Sequence, residues 1–228
     1  MIFENAHNIR RRIAEACGRC GRKTEEITLV AVTKTFGVDV IKEALSLGMR
    51  DFGENYVNEF CQKYAEFSGE DIRWHFIGHL QRNKVKEIIG KTTLIHSVDS
   101  VRLAEEISKR AEASGRNVDV LIEVNTSGEE SKFGAQPEET ASLVTALAKI
   151  PNISVSGLMT IGPFLADPEL SRPAFRLLRE LRDAIQKDGI ALPHLSMGMT
   201  NDFEIAIEEG ATIIRVGTAL FGTRQPKT

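Results

Sequence analysis

The 228-residue chain is poor in several features that would sort it quickly, and each shortage excludes something. Cysteine occurs three times, at Cys17, Cys20 and Cys61. An odd, sparse set does not build a secreted disulfide framework, so a reducing compartment, the cytoplasm, is expected. An excess of one charge is also lacking. The 29 Lys and Arg face 32 Asp and Glu, and a net charge of -3 offers no electrostatic footprint for nucleic acid or an anionic membrane surface. No apolar run approaches the roughly 20 residues of a membrane span. The opening stretch MIFENAHNIRRRIAEACGRC lacks an apolar core flanked by a cleavage site. No linker, low-complexity tract or charge block divides the chain, so residues 1–228 are expected to form a single soluble domain with a small-molecule partner.

What is present is alternation. Short β-rich runs recur at 27–34, 49–55, 73–79, 93–99, 119–125, 153–159, 193–199 and 211–217. Between them lie segments with apolar residues at three- and four-residue spacing, such as Val40, Ile41, Ala44, Leu45 and Leu47. Repeated βα units predict a parallel sheet with covering helices. Gly48, Gly90, Gly115, Gly189 and Gly210 follow the periodic segments, where a left-handed helix C-cap favours glycine. Asp99-Ser100 and Thr200-Asn201-Asp202 offer capping oxygens just after strands. Eight such units close evenly into an α/β fold, a (β/α)8 TIM barrel, with residues 1–24 as an extra N-terminal helix. An open doubly wound sheet would want Gly-x-Gly-x-x-Gly after its first strand, and VAVTKTFG at 31–38 does not supply it.

In such a barrel the active site lies at the C-terminal strand ends, so the residues there are the candidates. The first strand ends in Lys34, the second in Glu54-Asn55, the third in Gly78-His79, the fourth in Ser97 and Asp99, the fifth in Asn125 and the sixth near Met159-Thr160. Lys34 closes an apolar, β-branched run. An amine whose stem lies against barrel walls loses hydration and shifts from about 10.4 toward neutrality, which suits Schiff-base formation. A structural ion pair with Glu54 or Asp99 is the competing reading. SMGMTND at 196–202 and RVGTALFG at 215–222 run from strand ends into glycines and hydroxyls, where Ser196, Thr200, Thr218 and backbone amides can converge on a phosphate. Tight turns and plain helix caps would look the same. Arg215 must meet an acceptor, either a protein carboxylate or a ligand's ring nitrogen.

Other constellations carry less. Cys17-Gly-Arg-Cys20 has no second pair or histidine nearby and reads as a helix face rather than a zinc or redox site. His75 and His79 are four apart on a strand and its following loop, without a helical His-Glu-x-x-His pattern, so no metal site is expected and His79 is placed on the site lining. NTSGEESKFG at 125–134, with Lys132 and Gly134, reads either as a lid or as a solvated connection.

Taken together, AVTKTF, DFGENYVNE, WHFIGHLQRNK, IHSVDS, VNTSGEESKFG, GLMTIGP, LSMGMTNDFEIAIEEGAT and IRVGTALFG resemble the YggS/PROSC-type pyridoxal phosphate homeostasis proteins, from about residue 5 to residue 224. The resemblance implies a barrel like the N-terminal domain of alanine racemase, of fold type III, binding pyridoxal 5'-phosphate as an internal aldimine on Lys34. It further implies that Ser196, Thr200, Gly217, Thr218 and the Met197-Gly198 turn hold the phosphate, that Arg215 faces the pyridine nitrogen, and that Asn55 and His79 flank the ring. An arginine there donates a hydrogen bond without giving up its proton, so carbanion chemistry is weakly supported. Tyr56 and Tyr64, both after the second strand, are not assignable as the second base of a racemase, and the chain is expected to lack the second domain of racemases. The implied function is a monomeric carrier with no catalytic residue. Its partners are pyridoxal phosphate, other B6 vitamers and pyridoxal phosphate-dependent apo-enzymes. An amino-acid racemase, and a Schiff-base aldolase acting on a sugar phosphate at the same anion cup, are the alternatives.

Overall fold

The structure, a computed structural model, describes residues 1–129 and 133–222. Strand β1 spans Thr28–Val32, β2 Asp51–Glu54, β3 Arg73–Phe76, β4 Leu94–Val98, β5 Val118–Glu123, β6 Ile153–Met159, β7 His194–Ser196 and β8 Ile213–Val216. Among the described residues these eight pair in parallel in sequence order, and β8 closes on β1 to complete a barrel. Each of the eight expected runs coincides with a strand, β5 beginning one residue early at Val118, although most strands stop short of the polar residues at the run's end.

Helix α1 covers Ile2–Cys20, and α2 Val38–Ser46, α3 Val57–Glu66, α4 Val85–Ile88, α5 Val101–Ala113, α6 Thr140–Leu147, α7 Arg172–Lys187, α8 Phe203–Glu208 and α9 Thr218–Phe221 follow. The stripe Ile2, Ala6, Ile9, Ile13 and Cys17 on α1 recurs at helical spacing, is buried, and packs the extra helix along α8 and α9. Arg12–Glu204 and Arg19–Glu208, each at 2.6 Å, tie its polar edge to α8. The five anticipated glycine stops all have positive φ. Ser100 stands at the N-cap of α5 and Asp202 at that of α8, but neither side chain caps its helix. Asp202 instead accepts the Met199 N–H at 2.7 Å, a local turn that competes with the helical cap.

Period-2 alternation divides each strand between two environments. Outward residues such as Phe52, Trp74 and Phe76 meet the helices, with Phe60 of α3 set edge-on to both Trp74 and Phe76. Inward residues fill the bore. One apolar cluster there consists of Val30, Leu94, Leu121, Met159 and Ile213. The rest of the bore is polar, and His75, His96, Ser196 and Arg215 are buried in it. No described helix is long and apolar enough to cross a membrane.

Candidate functional site

The strand β1 carbonyl end is fastened before it presents Lys34. Buried Thr33 receives the chain from β1, and its Oγ1 donates to Glu54 Oε1 at 2.6 Å. The Lys63 ammonium has three N–H bonds to give and gives all three, at 2.7 Å each, to Thr33 O, Glu54 Oε1 and Glu59 Oε1. On the other side of Lys34, the Thr35 N–H donates to Glu59 Oε1 at 2.6 Å. Thr35 sits at φ 69°, a left-handed conformation costly for a β-branched residue and held here by that bond. The carboxylates anticipated as partners of Lys34 therefore include one, Glu54, that is engaged by Lys63.

Half-buried Lys34 opens on a cavity of about 450 Å³, whose walls include Val32, Phe36, Ile77 and Arg215. That volume falls within the small-molecule range. Asn55, Thr200, Gly217 and Thr218 line the same cavity. Asn55 Oδ1 is buried there without a hydrogen-bond partner. Gly78 makes this corner possible: a Cβ at that position would lie 2.2 Å from Asn55 O, so only glycine lets the two strand ends approach. Thr200 Oγ1 accepts the Ala219 N–H at 3.2 Å, which ties the loop after β7 to the start of α9 and leaves the Thr200 O–H proton to donate. A wider groove of about 820 Å³ lies outside the barrel beside α2 and α3 and is lined by Thr35, Tyr56 and Glu66; Lys34 and Arg215 do not reach it.

Arg215 is almost wholly buried, and its Nη1 donates to Ser196 Oγ at 2.6 Å while Nη2 donates to Thr160 O at 2.8 Å. Burial lowers its pKa to about 10, against the pull of Glu123 and Asp202, so it is a cation at neutral pH. Across the mouth, burial pushes the Glu123 carboxyl up to about 7, with Arg215 opposing and Asp99 reinforcing the shift. Sequence reasoning missed Glu123; its place on the inward face of β5, in phase with Leu121, was the available signal.

The structure thus brings Lys34, Asn55, Thr200, Arg215, Gly217 and Thr218 to one cavity and sets the other candidates apart. Ser196 is fully buried in the bore, with its oxygen engaged by Arg215 and His96, and is not among the residues lining the cavity. Met197 is fully buried as well. Gly198, at φ 91°, shapes the turn, where a Cβ would lie 2.5 Å from the Ala206 side chain. Its carbonyl accepts the Arg215 N–H at 3.0 Å. His79 is exposed, stacked on Phe133 at 3.9 Å, and lines a neighbouring recess with Asn55 and Tyr56. Cys17 and Cys20 lie on α1 as free thiols, and no group of His, Cys, Asp and Glu among the described residues is arranged to hold a metal. Of the 125–134 segment, Asn125 donates to Glu129 O at 2.9 Å, whereas Lys132 and the anticipated lid centre lie outside the described residues.

A parallel barrel with an amine on the first strand end and a buried arginine on the last defines a class, and the comparisons agree. The chain belongs to the family "Alanine racemase, N-terminal domain", whose model matches residues 5–225. Within that class it is 51% identical to the pyridoxal phosphate homeostasis protein of Aquifex aeolicus, over 97% of this chain and 98% of the relative. PipY of Synechococcus elongatus, a member of the COG0325 family solved with PLP bound, matches with a TM-score of 0.82 and 34% identity, over 92% of this chain and all of that one. The alanine racemase of Clostridium difficile shares the fold alone, at 16% identity and a TM-score of 0.77, with 57% of its length covered.

Proposed function

We propose that this chain binds pyridoxal 5'-phosphate at the barrel mouth and serves in its homeostasis as a cytoplasmic, monomeric carrier. The carrying observation is that Lys34 and Arg215 open on one cavity with the hydroxyls of Thr200 and Thr218. The donor set fits the cofactor. Lys34 is placed to condense with an aldehyde, forming a C=N bond and releasing water, and water or another amine reverses that step. The hydroxyls of Thr200 and Thr218 and the backbone at Gly217 suit a phosphate ester, and the partnerless Asn55 Oδ1 is an acceptor awaiting a donor. Arg215, fixed by Ser196 and Thr160, would point its remaining N–H bonds at the pyridine nitrogen.

When bound, pyridoxal phosphate supplies an electrophilic carbonyl and an electron-accepting ring. An arginine that keeps its proton limits the second property, which supports holding and release over racemisation. The Aquifex relative, a pyridoxal phosphate homeostasis protein, supports the same reading. Apo-enzymes that need the cofactor are the proposed recipients.

The test is the visible spectrum of purified protein given pyridoxal phosphate, then borohydride reduction and peptide mapping. The expected result is a yellow protein with the reduced adduct on Lys34, and a Lys34→Ala protein that loses the covalent link but keeps weakened binding through the phosphate corner. A colourless protein that takes up no cofactor would overturn the reading in favour of a sugar phosphate aldolase. Solvent deuterium entering the α-position of an amino acid well above the rate of free cofactor would reassign the chain as a racemase.

A further inference from the structure

Behind Arg215 a line of hydrogen bonds crosses the bore to the opposite face of the barrel. Arg215 Nη1 meets Ser196 Oγ at 2.6 Å. Ser196 Oγ meets His96 Nδ1 at 2.9 Å, spanning the bore from β7 to β4. His96 Nε2 meets His75 Nδ1 at 2.9 Å, and His75 Nε2 meets Asp51 Oδ1 at 3.1 Å. Both histidines are buried, and His96 is wholly so. At the far end Asp51 is clasped by Arg73 through two bonds, of 2.8 and 2.6 Å.

The chemistry at the two ends fixes the direction of every bond between them. A guanidinium donates and cannot accept, so Ser196 Oγ accepts from Arg215. Were the Ser196 hydroxyl proton not given to His96 Nδ1, it would be buried without a described acceptor. His96 then carries its proton on Nε2 and donates to His75 Nδ1. His75 in turn carries its proton on Nε2 and donates to the Asp51 carboxylate, which closes the line with an acceptor. The reverse order fails at both ends, since it strands the Ser196 proton and points a neutral imidazole lone pair at a carboxylate. Only one arrangement of neutral histidines satisfies all five groups.

We propose that Ser196, His96, His75 and Asp51 are positioning residues that form a one-way hydrogen-bond line, orienting the Arg215 guanidinium toward the cavity and coupling it to a carboxylate on the opposite barrel face. This rests on the pyridoxal phosphate reading for what Arg215 addresses, but not for the line itself. Burial holds His96 well below its ordinary pKa, reinforced by His75, Arg215 and His194, in accord with a neutral ring. The Asp51 carboxyl would rise on burial, but the bonds from His75 and Arg73 hold it down at about 2, so the acceptor end stays charged. The other ionisable groups facing the line are His194 on β7, lowered by burial, and Glu123 and Asp202 near Arg215.

The first measurement is the ring ¹⁵N spectrum of both histidines in protein free of cofactor at pH 7.5. Protons on Nε2 in both rings are expected; a proton on Nδ1 of His96, or an imidazolium in either ring, overturns the proposal. The second uses ¹⁵N-labelled pyridoxal phosphate bound to wild type, Ser196→Ala and Asp51→Asn. Both variants are expected to shift the pyridine ¹⁵N resonance and weaken cofactor binding about 10-fold, Asp51→Asn doing so from a residue outside the cavity. If they lower only the melting temperature and leave that resonance and its pH profile unmoved, the line is mere packing and the proposal falls. Failure of the cofactor reading shows separately, as wild-type protein that binds no pyridoxal phosphate while its histidine tautomers still decide the line.

Discussion

Two buried polar networks flank the cavity, and they are built on opposite plans. The one beneath Lys34 is compact and ionic: Lys63 pairs with Glu54 and Glu59 at 2.7 Å each, and its third N–H holds a backbone carbonyl. The one behind Arg215 is long, carries charge at its ends, and passes through neutral groups between them. The first anchors a backbone, the second aims a side chain. A strap that must hold still is suited by many short bonds converging on one ammonium, whereas orienting a planar guanidinium takes a line of bonds with a defined direction.

The sharpest way to break the contrast is Lys63→Met. It keeps most of the side-chain volume and removes the ammonium that buried Glu54, half-buried Glu59 and the Thr33 carbonyl share. Leaving a buried charge unpaired costs about 3–5 kcal/mol. Burial already raises the Glu54 carboxyl, despite the pull of Lys63, so at lower pH it can escape by taking a proton. Chemical denaturation should therefore show a larger loss at pH 8 than at pH 5, with much of it recovered in Glu54→Gln/Lys63→Met. An unchanged midpoint at both pH values would mean that the cluster does not secure the strap.

The next effect comes from two carboxylates of the Arg215 network, Glu123 facing the guanidinium and Asp51 at the far end of the line. Glu123 is raised to about 7 by burial, so between the ordinary carboxylate range and pH 7 the folded protein binds more protons there than the unfolded chain. Stability from this group is present at low pH and is lost as pH rises through that window, by about 3 kcal/mol at roughly 1.4 kcal/mol per pKa unit. Asp51 has the opposite sign. Held at about 2, it contributes stability above the unfolded value that is lost as pH falls toward 2. Glu123→Gln should flatten the decline between pH 5 and 7 in urea titrations and leave the acid limb unchanged. A decline that persists in the variant would assign it to Glu54 instead.

How far these networks could be read from sequence differs residue by residue. The eight strands were legible because β-branched runs and glycine stops alternate regularly, and the barrel then placed Lys34, Asn55, Thr200, Arg215, Gly217 and Thr218 near one cavity. The same logic put Ser196 and His79 beside that cavity too, whereas the structure gives Ser196 to the bore and His79 to a neighbouring recess. Strand β7 ends at Ser196 rather than in the following turn, which keeps that hydroxyl inside the bore; β3 ends at Phe76, and beyond it alternation no longer governs where His79 points. Glu59 and Lys63 look like an ordinary exposed i,i+4 pair, because burial of Lys63 depends on how α3 docks. The His96–Ser196 contact joins residues 100 apart across the bore, and no local pattern encodes it.

The smallest effect separates the two roles of Asp51. Arg73 is half exposed, and its bonds to Asp51, although bidentate, lie at the solvent edge of the barrel. Arg73→Gln should cost less than about 1 kcal/mol, as exposed ion pairs generally do. Asp51 would still accept from His75, because that bond comes from the bore side and does not pass through Arg73. The expected outcome is an unchanged His75 tautomer and an unchanged cofactor resonance beside a slightly lower melting temperature. If the tautomer shifts instead, Arg73 sets the Asp51 carboxylate, and the line behind Arg215 is anchored by an ion pair at its far end, as the Lys34 strap is at its near one.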